Sequence, residues 1–334
     1  KMKKILILFF VFSSVVSFAQ DVIFSQAFLV PETLNSSFTG SIRSIKVGSL
    51  FRSQWRNSAF KTNSNYAFYD TWFERYKTGI GVSFLNQTET NSSYRFNQIN
   101  FNYAMSFQLT KTWFFRPSIS VGFGMKNYGF QNLLLEDQIN VINNTINTSS
   151  LDPTLLASQR NFFDFSSSVL FNNNNDSWIG LTVKHLNRPN ISLTDNGNAP
   201  LDIFWSAHTK YYLPLLENGR TLLNRQSKLY VLSNFMMQGA FNKLDIGTQY
   251  VLGNNFSMGI TAGLIPFKNE FTPSLISSIN TFVGFRWEGF RFGYSYDFNT
   301  TSFINTGNIH EFSISYDFEI NIRALNRYKC VSSF

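Results

Sequence analysis

Cysteine is almost missing from this chain: Cys330 stands alone among 334 residues, so an internal disulfide framework is excluded. Histidine is nearly as scarce, with only His185, His208 and His310. No Cys/His spacing suited to a metal ion occurs, and no cofactor is expected. Charge is thin as well, at 14% of residues against about 25% in an ordinary soluble domain. Beyond the amino-terminal stretch no apolar run approaches the length of a spanning helix. G-x-S-x-G and H-E-x-x-H are both missing, so the common hydrolase and metalloprotease signatures have no footing. Gly122–Phe123–Gly124 lacks the third glycine of a phosphate cradle and lies inside a strand pattern, where it reads as smooth wall.

What is present is aromatic and alternating. Aromatics reach 17%, with 38 Phe. Lys3 and Lys4 precede the apolar run Ile5–Phe18, and Ser17–Phe18–Ala19 follows the pattern of a cleavage site. This predicts a secretory signal peptide over 1–19, with the lysines of the formal +8 charge reduced accordingly. The remaining charge is scattered and does not suggest nucleic acid. A low-charge, aromatic-rich exported chain without apolar helices fits a transmembrane antiparallel β-barrel, in which only alternate residues meet lipid.

Period-two reading predicts fourteen strands, near 42–55, 62–72, 79–87, 96–109, 113–128, 161–172, 177–187, 202–212, 227–237, 241–252, 256–264, 275–287, 290–298 and 311–320. In one of the clearest, Ile99, Phe101, Tyr103, Met105 and Phe107 oppose Gln98, Asn100, Asn102, Ser106 and Gln108. The apolar set is expected to face lipid and the polar set the lumen. Links after even-numbered strands are mostly tight and those after odd-numbered strands mostly long, the asymmetry of a barrel with periplasmic termini. The links 213–226 and 238–240 break that rule. The Asn-rich stretch Asn140–Asn147 reads as part of a long outer loop. The resulting organisation is a signal peptide (1–19), a periplasmic or plug segment (20–41), an outer-membrane barrel (42–320) and a periplasmic tail (321–334). The last strand must close on the first.

Few residues carry candidate chemistry. His310–Glu311 is the best pair for a lipid hydrolase, but strand neighbours point to opposite faces, so a polar rim position is the plainer reading. Asp297, Asp317 and Glu319 are placed to meet Arg286 and Arg291 inside the barrel and brace its wall, or to hold a plug. Trp55, Trp72, Trp113, Trp178, Trp205 and Trp287 lie near strand ends and are expected as interface anchors. The tail carries Arg323, Arg327, Cys330 and Phe334, either a free periplasmic end or a docking peptide.

Both ends of the chain resemble the PorP/SprF family of type IX secretion membrane proteins. Asp21, Phe24–Ser25–Gln26, Asn35 and Gly40 are similar to an acidic residue, F-S-Q-Y and N-P-A-x-x-G. Phe51–Arg52–Ser53–Gln54–Trp55 is similar to Y-R-N-Q-W, and Gly293–Tyr294–Ser295–Tyr296–Asp297 with His310–Glu311 to G-Y-S-Y-D and H-E. Lys329–Cys330 and Phe334 resemble a C-P-x-F ending. Ala27, Ser36–Ser37 and Val331 depart from the pattern. The resemblance implies a non-enzymatic outer-membrane component of type IX secretion. Its implied partners are a cargo or gliding adhesin, engaged through a C-terminal targeting domain, and other secretion components. A passive diffusion channel is the alternative reading.

Overall fold

A computed structural model describes residues 21–58, 61–129, 138–140, 143, 145–147, 159–173, 177–193, 197–214, 216–217, 220–221, 227–253, 255–267, 275–300 and 307–318. Fourteen antiparallel strands close into one barrel. They are β1 (Ile45–Gln54), β2 (Thr62–Phe73), β3 (Thr78–Glu89), β4 (Arg95–Met105), β5 (Trp113–Asn127), β6 (Gln159–Asn173) and β7 (Trp178–Lys184). The second half comprises β8 (Phe204–Leu213), β9 (Ser227–Gln238), β10 (Phe241–Leu252), β11 (Phe256–Leu264), β12 (Ile276–Trp287), β13 (Phe290–Asn299) and β14 (Ile309–Phe318). Each corresponds to one expected strand. Each pairs with its sequence neighbour, and β1 pairs with β14 from Ile45↔Phe318 to Ser53↔His310, the expected seam. Within the Asn-rich stretch, Ile139–Asn140 and Thr145–Ile146 form a short ladder of their own.

Alternation sets the two faces. Along β14, Phe312, Ile314 and Phe318 are exposed outside, whereas Glu311, Ser315 and Asp317 are buried inside. Phe101, Ile119 and Phe163 belong to the same outer apolar surface, far larger than water tolerates on a monomer. That surface is the lipid-facing band of a membrane barrel. The glycine reading holds: Gly122 and Gly124 lie on the inner face, and a Cβ on Gly124 would overlap the Phe162 ring.

Two tryptophans correct the girdle expectation. Trp72 and Trp178 are 8% and 2% exposed because they share the phase of the inner residues Asp70 and Gly180. Trp55, Trp205 and Trp287 do lie exposed. Proximity to a strand end does not choose a face; the phase of the alternation does.

The interior holds residues 21–41. Phe24, Phe28, Leu29, Val30, Leu34 and Phe38 pack with the inner-face residues Leu50, Tyr66, Phe68, Leu170, Trp178, Tyr230, Leu232 and Phe282 in one apolar core. Two single 3-10 turns, Pro31–Thr33 and Ser36–Phe38, compact the segment. Pro31 opens the first, where its missing N–H costs nothing. Asn35 caps the second, its side chain accepting from the Ser37 N–H at 2.7 Å.

The segment crosses the barrel from mouth to mouth. Asp21 bonds Gln238 and His185 at the mouth carrying the long links, while Gly40 bonds Asp70 near the mouth carrying the tight turns. Strand β14 ends with Phe318 beside Ile45 at the tight-turn mouth. The two ends of the barrel, Ile45 and Phe318, share the tight-turn mouth, and Asp21 lies at the opposite mouth because the chain threads the lumen before entering β1.

Candidate functional site

The lumen segment is held at three stations, and the first lies on the seam. Register places Arg52 of β1 opposite Glu311 of β14, and Ser295 of β13 opposite Glu311 on its other side. Arg52 forms a buried ion pair with Glu311, with Asp297 at 3.8 Å from the same guanidinium. The two Glu311 oxygens accept from consecutive peptide N–H groups, Ser25 at 2.9 Å and Gln26 at 2.8 Å. The Ser25 hydroxyl donates to Asp297, and Ser313 donates to the Gln26 side chain at 2.6 Å. Arg52 also donates to Gln54 at 3.0 Å. One carboxylate therefore neutralises a wall cation and caps two otherwise orphaned backbone donors.

The second station grips the middle of the segment. Phe38 sets its ring edge on Trp178 at 5.2 Å, and Phe28 stacks on the same indole at 6.0 Å. Asn35 donates to the Val169 carbonyl at 3.0 Å and contacts His208 Nε2 at 3.0 Å. Arg116 donates to the carbonyls of Ser37 and Thr39 at 2.9 and 2.8 Å. Lys46 pairs with Glu32 at 2.6 Å. Gly40, at φ +66°, then turns the chain against Gly79, where a Cβ on either residue would strike backbone.

The third station is a charged latch at the long-link mouth. His185 bridges two carboxylates, Nε2 to Asp21 at 2.8 Å and Nδ1 to Asp164 at 2.9 Å, and Lys184 reaches Asp21 at 3.3 Å. Burial by itself would raise Asp21, but the charges of His185 and Lys184 outweigh it and hold the carboxyl well below its ordinary range. Burial would likewise lower His185, but Asp21 and Asp164 push it up from 6.5 to about 9. The Asp21 contribution is present above its unfolded pKa and is lost only as pH falls through the depressed value. The His185 contribution is full below pH 6.5 and lost as pH rises through about 9. Raising pH from 6 to about 10 should thus loosen the segment around Asp21 first. The protection of the Asp21 amide, which donates to Gln238 at 2.9 Å, should fall in the parent once the base-catalysed intrinsic rise in exchange is divided out, and His185→Gln should flatten that residual pH dependence.

The motif residues therefore divide. Ser25, Gln26, Arg52, Gln54, Asp297 and Glu311 meet at the seam, with Phe24 beside them on Tyr66 at 5.9 Å. Asn35 and Gly40 serve the middle and the exit. Trp55 is exposed, and Tyr294 and His310 pack together on the outer face, the tyrosine oxygen 3.0 Å from Nδ1. Glu311 corrects the rim reading: it stands near a strand end yet is fully buried, because the lumen segment covers it. Arg291 pairs with Asp317 as expected. Glu319 and the tail residues Arg323, Arg327, Cys330 and Phe334 fall outside the described residues. The latch and the Arg116 contacts were missed, since no local pattern links partners so distant in sequence.

A sequence model of the type IX secretion system membrane protein PorP/SprF matches residues 16–316. The chain belongs to this family. Its PorP/SprF fold has solved structures similar to it at low identity. Acinetobacter baumannii Omp33 has 7% identity and a TM-score of 0.45, over 84% of this chain and 100% of that one. The Ralstonia pickettii toluene transporter TbuX has 10% identity and a TM-score of 0.46, over 88% and 93%. The Pseudomonas putida toluene transporter TodX has 10% identity and a TM-score of 0.46, over 90% and 95%. No curated protein matches the chain.

Proposed function

We propose that this PorP/SprF barrel is a non-enzymatic outer-membrane scaffold that supports export or surface anchoring of one cargo protein, such as a gliding adhesin. The cargo is engaged through its C-terminal targeting domain. After removal of residues 1–19, the long-link mouth faces outward and the tight turns face the periplasm. Segment 20–41 is the plug of barrel 42–320, and the tail 321–334 offers Arg323, Arg327, Cys330 and Phe334 to a periplasmic secretion component. The observation that carries this reading is the plugged lumen: the barrel binds its own residues 24–38 in an apolar core, as a scaffold would and an open duct would not.

Deleting the gene should abolish surface appearance of one specific large protein while other secretion continues. Unchanged surface display of every cargo would sink the proposal. The diffusion-channel alternative predicts steady conductance in a planar bilayer; a closed parent protein speaks against it.

A further inference from the structure

The lumen segment leaves one side of the barrel unfilled. A cavity of about 100 Å³ lies between it and the wall of β3–β7, running from Tyr94, Lys184 and His185 at the long-link mouth to Ser83 and Asn102 at mid-depth. Asn100, Ser120 and Ser166 line the cavity with small neutral groups that offer both donors and acceptors, while the lining carboxylates Asp21, Glu32 and Asp164 are each paired, with His185 and Lys184, with Lys46 and with His185. None of the three neutral residues makes a side-chain hydrogen bond with a described residue. Gly122 keeps the amides in place, since a Cβ there would overlap Asn100.

Lys126 is the lining cation that pairs with no carboxylate among the described residues. It lines the space at 8% exposure, and its ammonium lies 5.6 Å from the centre of the Phe96 ring. It forms no hydrogen bond or ion pair with any described residue. Lys46, Arg52, Lys184 and Arg291 each carry a carboxylate partner; Lys126 does not. Asp21, across the mouth, is already bonded by His185, Lys184 and Gln238. A ring face satisfies an ammonium on one side only and leaves its N–H donors aimed at the cavity. Water, which needs roughly 10–15 Å³ of such space to enter at all, is the competing occupant.

We propose that this cavity is a binding site for a carboxylate borne on a small ligand rich in amide or hydroxyl groups. The carboxylate meets Lys126, and the neutral groups meet Asn100, Ser120 and Ser166. A peptide end and an acidic sugar share that chemistry. Isothermal titration of the full chain in detergent would use Gly-Ser-Ser against its C-terminal amide, and galacturonate against galactose.

At least one acid should bind tenfold or more tighter than its neutral counterpart, and which acid does so identifies the source. Lys126→Met should erase the preference while the folded barrel keeps its migration in cold detergent gels. Should that variant misfold, Asn100→Asp should weaken acid binding tenfold or more by placing a like charge in the cavity. Equal binding of acid and neutral probes, or an acid preference surviving these substitutions, would overturn the site and leave a pool of water.

Discussion

Glu311→Ala is expected to destabilise the folded barrel by about 3–5 kcal/mol, although it removes one side chain from a wall of fourteen strands. The size follows from what is left behind. Arg52 stays buried without its main counter-charge, and the Ser25 and Gln26 N–H groups lose their acceptors at 2.9 and 2.8 Å. An uncompensated buried cation outweighs a lost surface pair, which is worth at most about 1 kcal/mol. Asp297 at 3.8 Å offers some relief to Arg52, which favours the lower half of the range.

Two companion variants separate charge from shape. Glu311→Gln keeps an acceptor oxygen for one of the two peptide groups and should lose less. Arg52→Met with Glu311→Ala should be less damaging than the two single effects added, since neither charge is stranded. The temperature at which the barrel loses its compact form in detergent gels reports the change. Hydrogen exchange at Ser25 and Gln26 should rise in step. An Ala variant that melts like the parent, with those amides still protected, would remove the seam station from the account.

The strands were legible because lipid and lumen impose opposite solvents on alternate residues, and runs such as Phe290 to Phe298 record that directly. Seam closure was legible from the even strand number. The face of Trp72 and Trp178 was misread because a large apolar residue on the inner phase looks like an anchor until something apolar is known to lie inside. That something is the lumen segment. Its own sequence, Phe28–Leu29–Val30–Pro31, shows neither a period of two nor one of 3.6 and so announces no element. Arg52 and Glu311 stood in separate motifs at the two ends of the chain. Only barrel closure, which fixes the register of β1 on β14, turns them into a pair. Glu311 thereby changes from a strand-entrance residue into the acid that holds the segment in place.

Phe38→Ala should cost about 3–5 kcal/mol, the range for emptying a buried aromatic site that relaxes only in part. Phe38 is 1% exposed and rests its edge on Trp178, which also carries Phe28. The barrel wall cannot collapse into the vacancy, because its strands are fixed by pairing on both sides; this favours the full cost. Phe163→Ala is the control: its ring is 62% exposed on the lipid face, where acyl chains refill the space, and a small effect is expected. Trp178 fluorescence should shift to the red in Phe38→Ala as water reaches the indole. The polar stations at Glu311 and His185 remain in this variant, so the segment should stay tethered while its middle loosens. Intermittent conductance in a planar bilayer is the expected sign of that state, against a closed parent and a closed Phe163→Ala. A Phe38→Ala barrel that melts like the parent and never opens would mean that the polar stations alone hold the lumen shut.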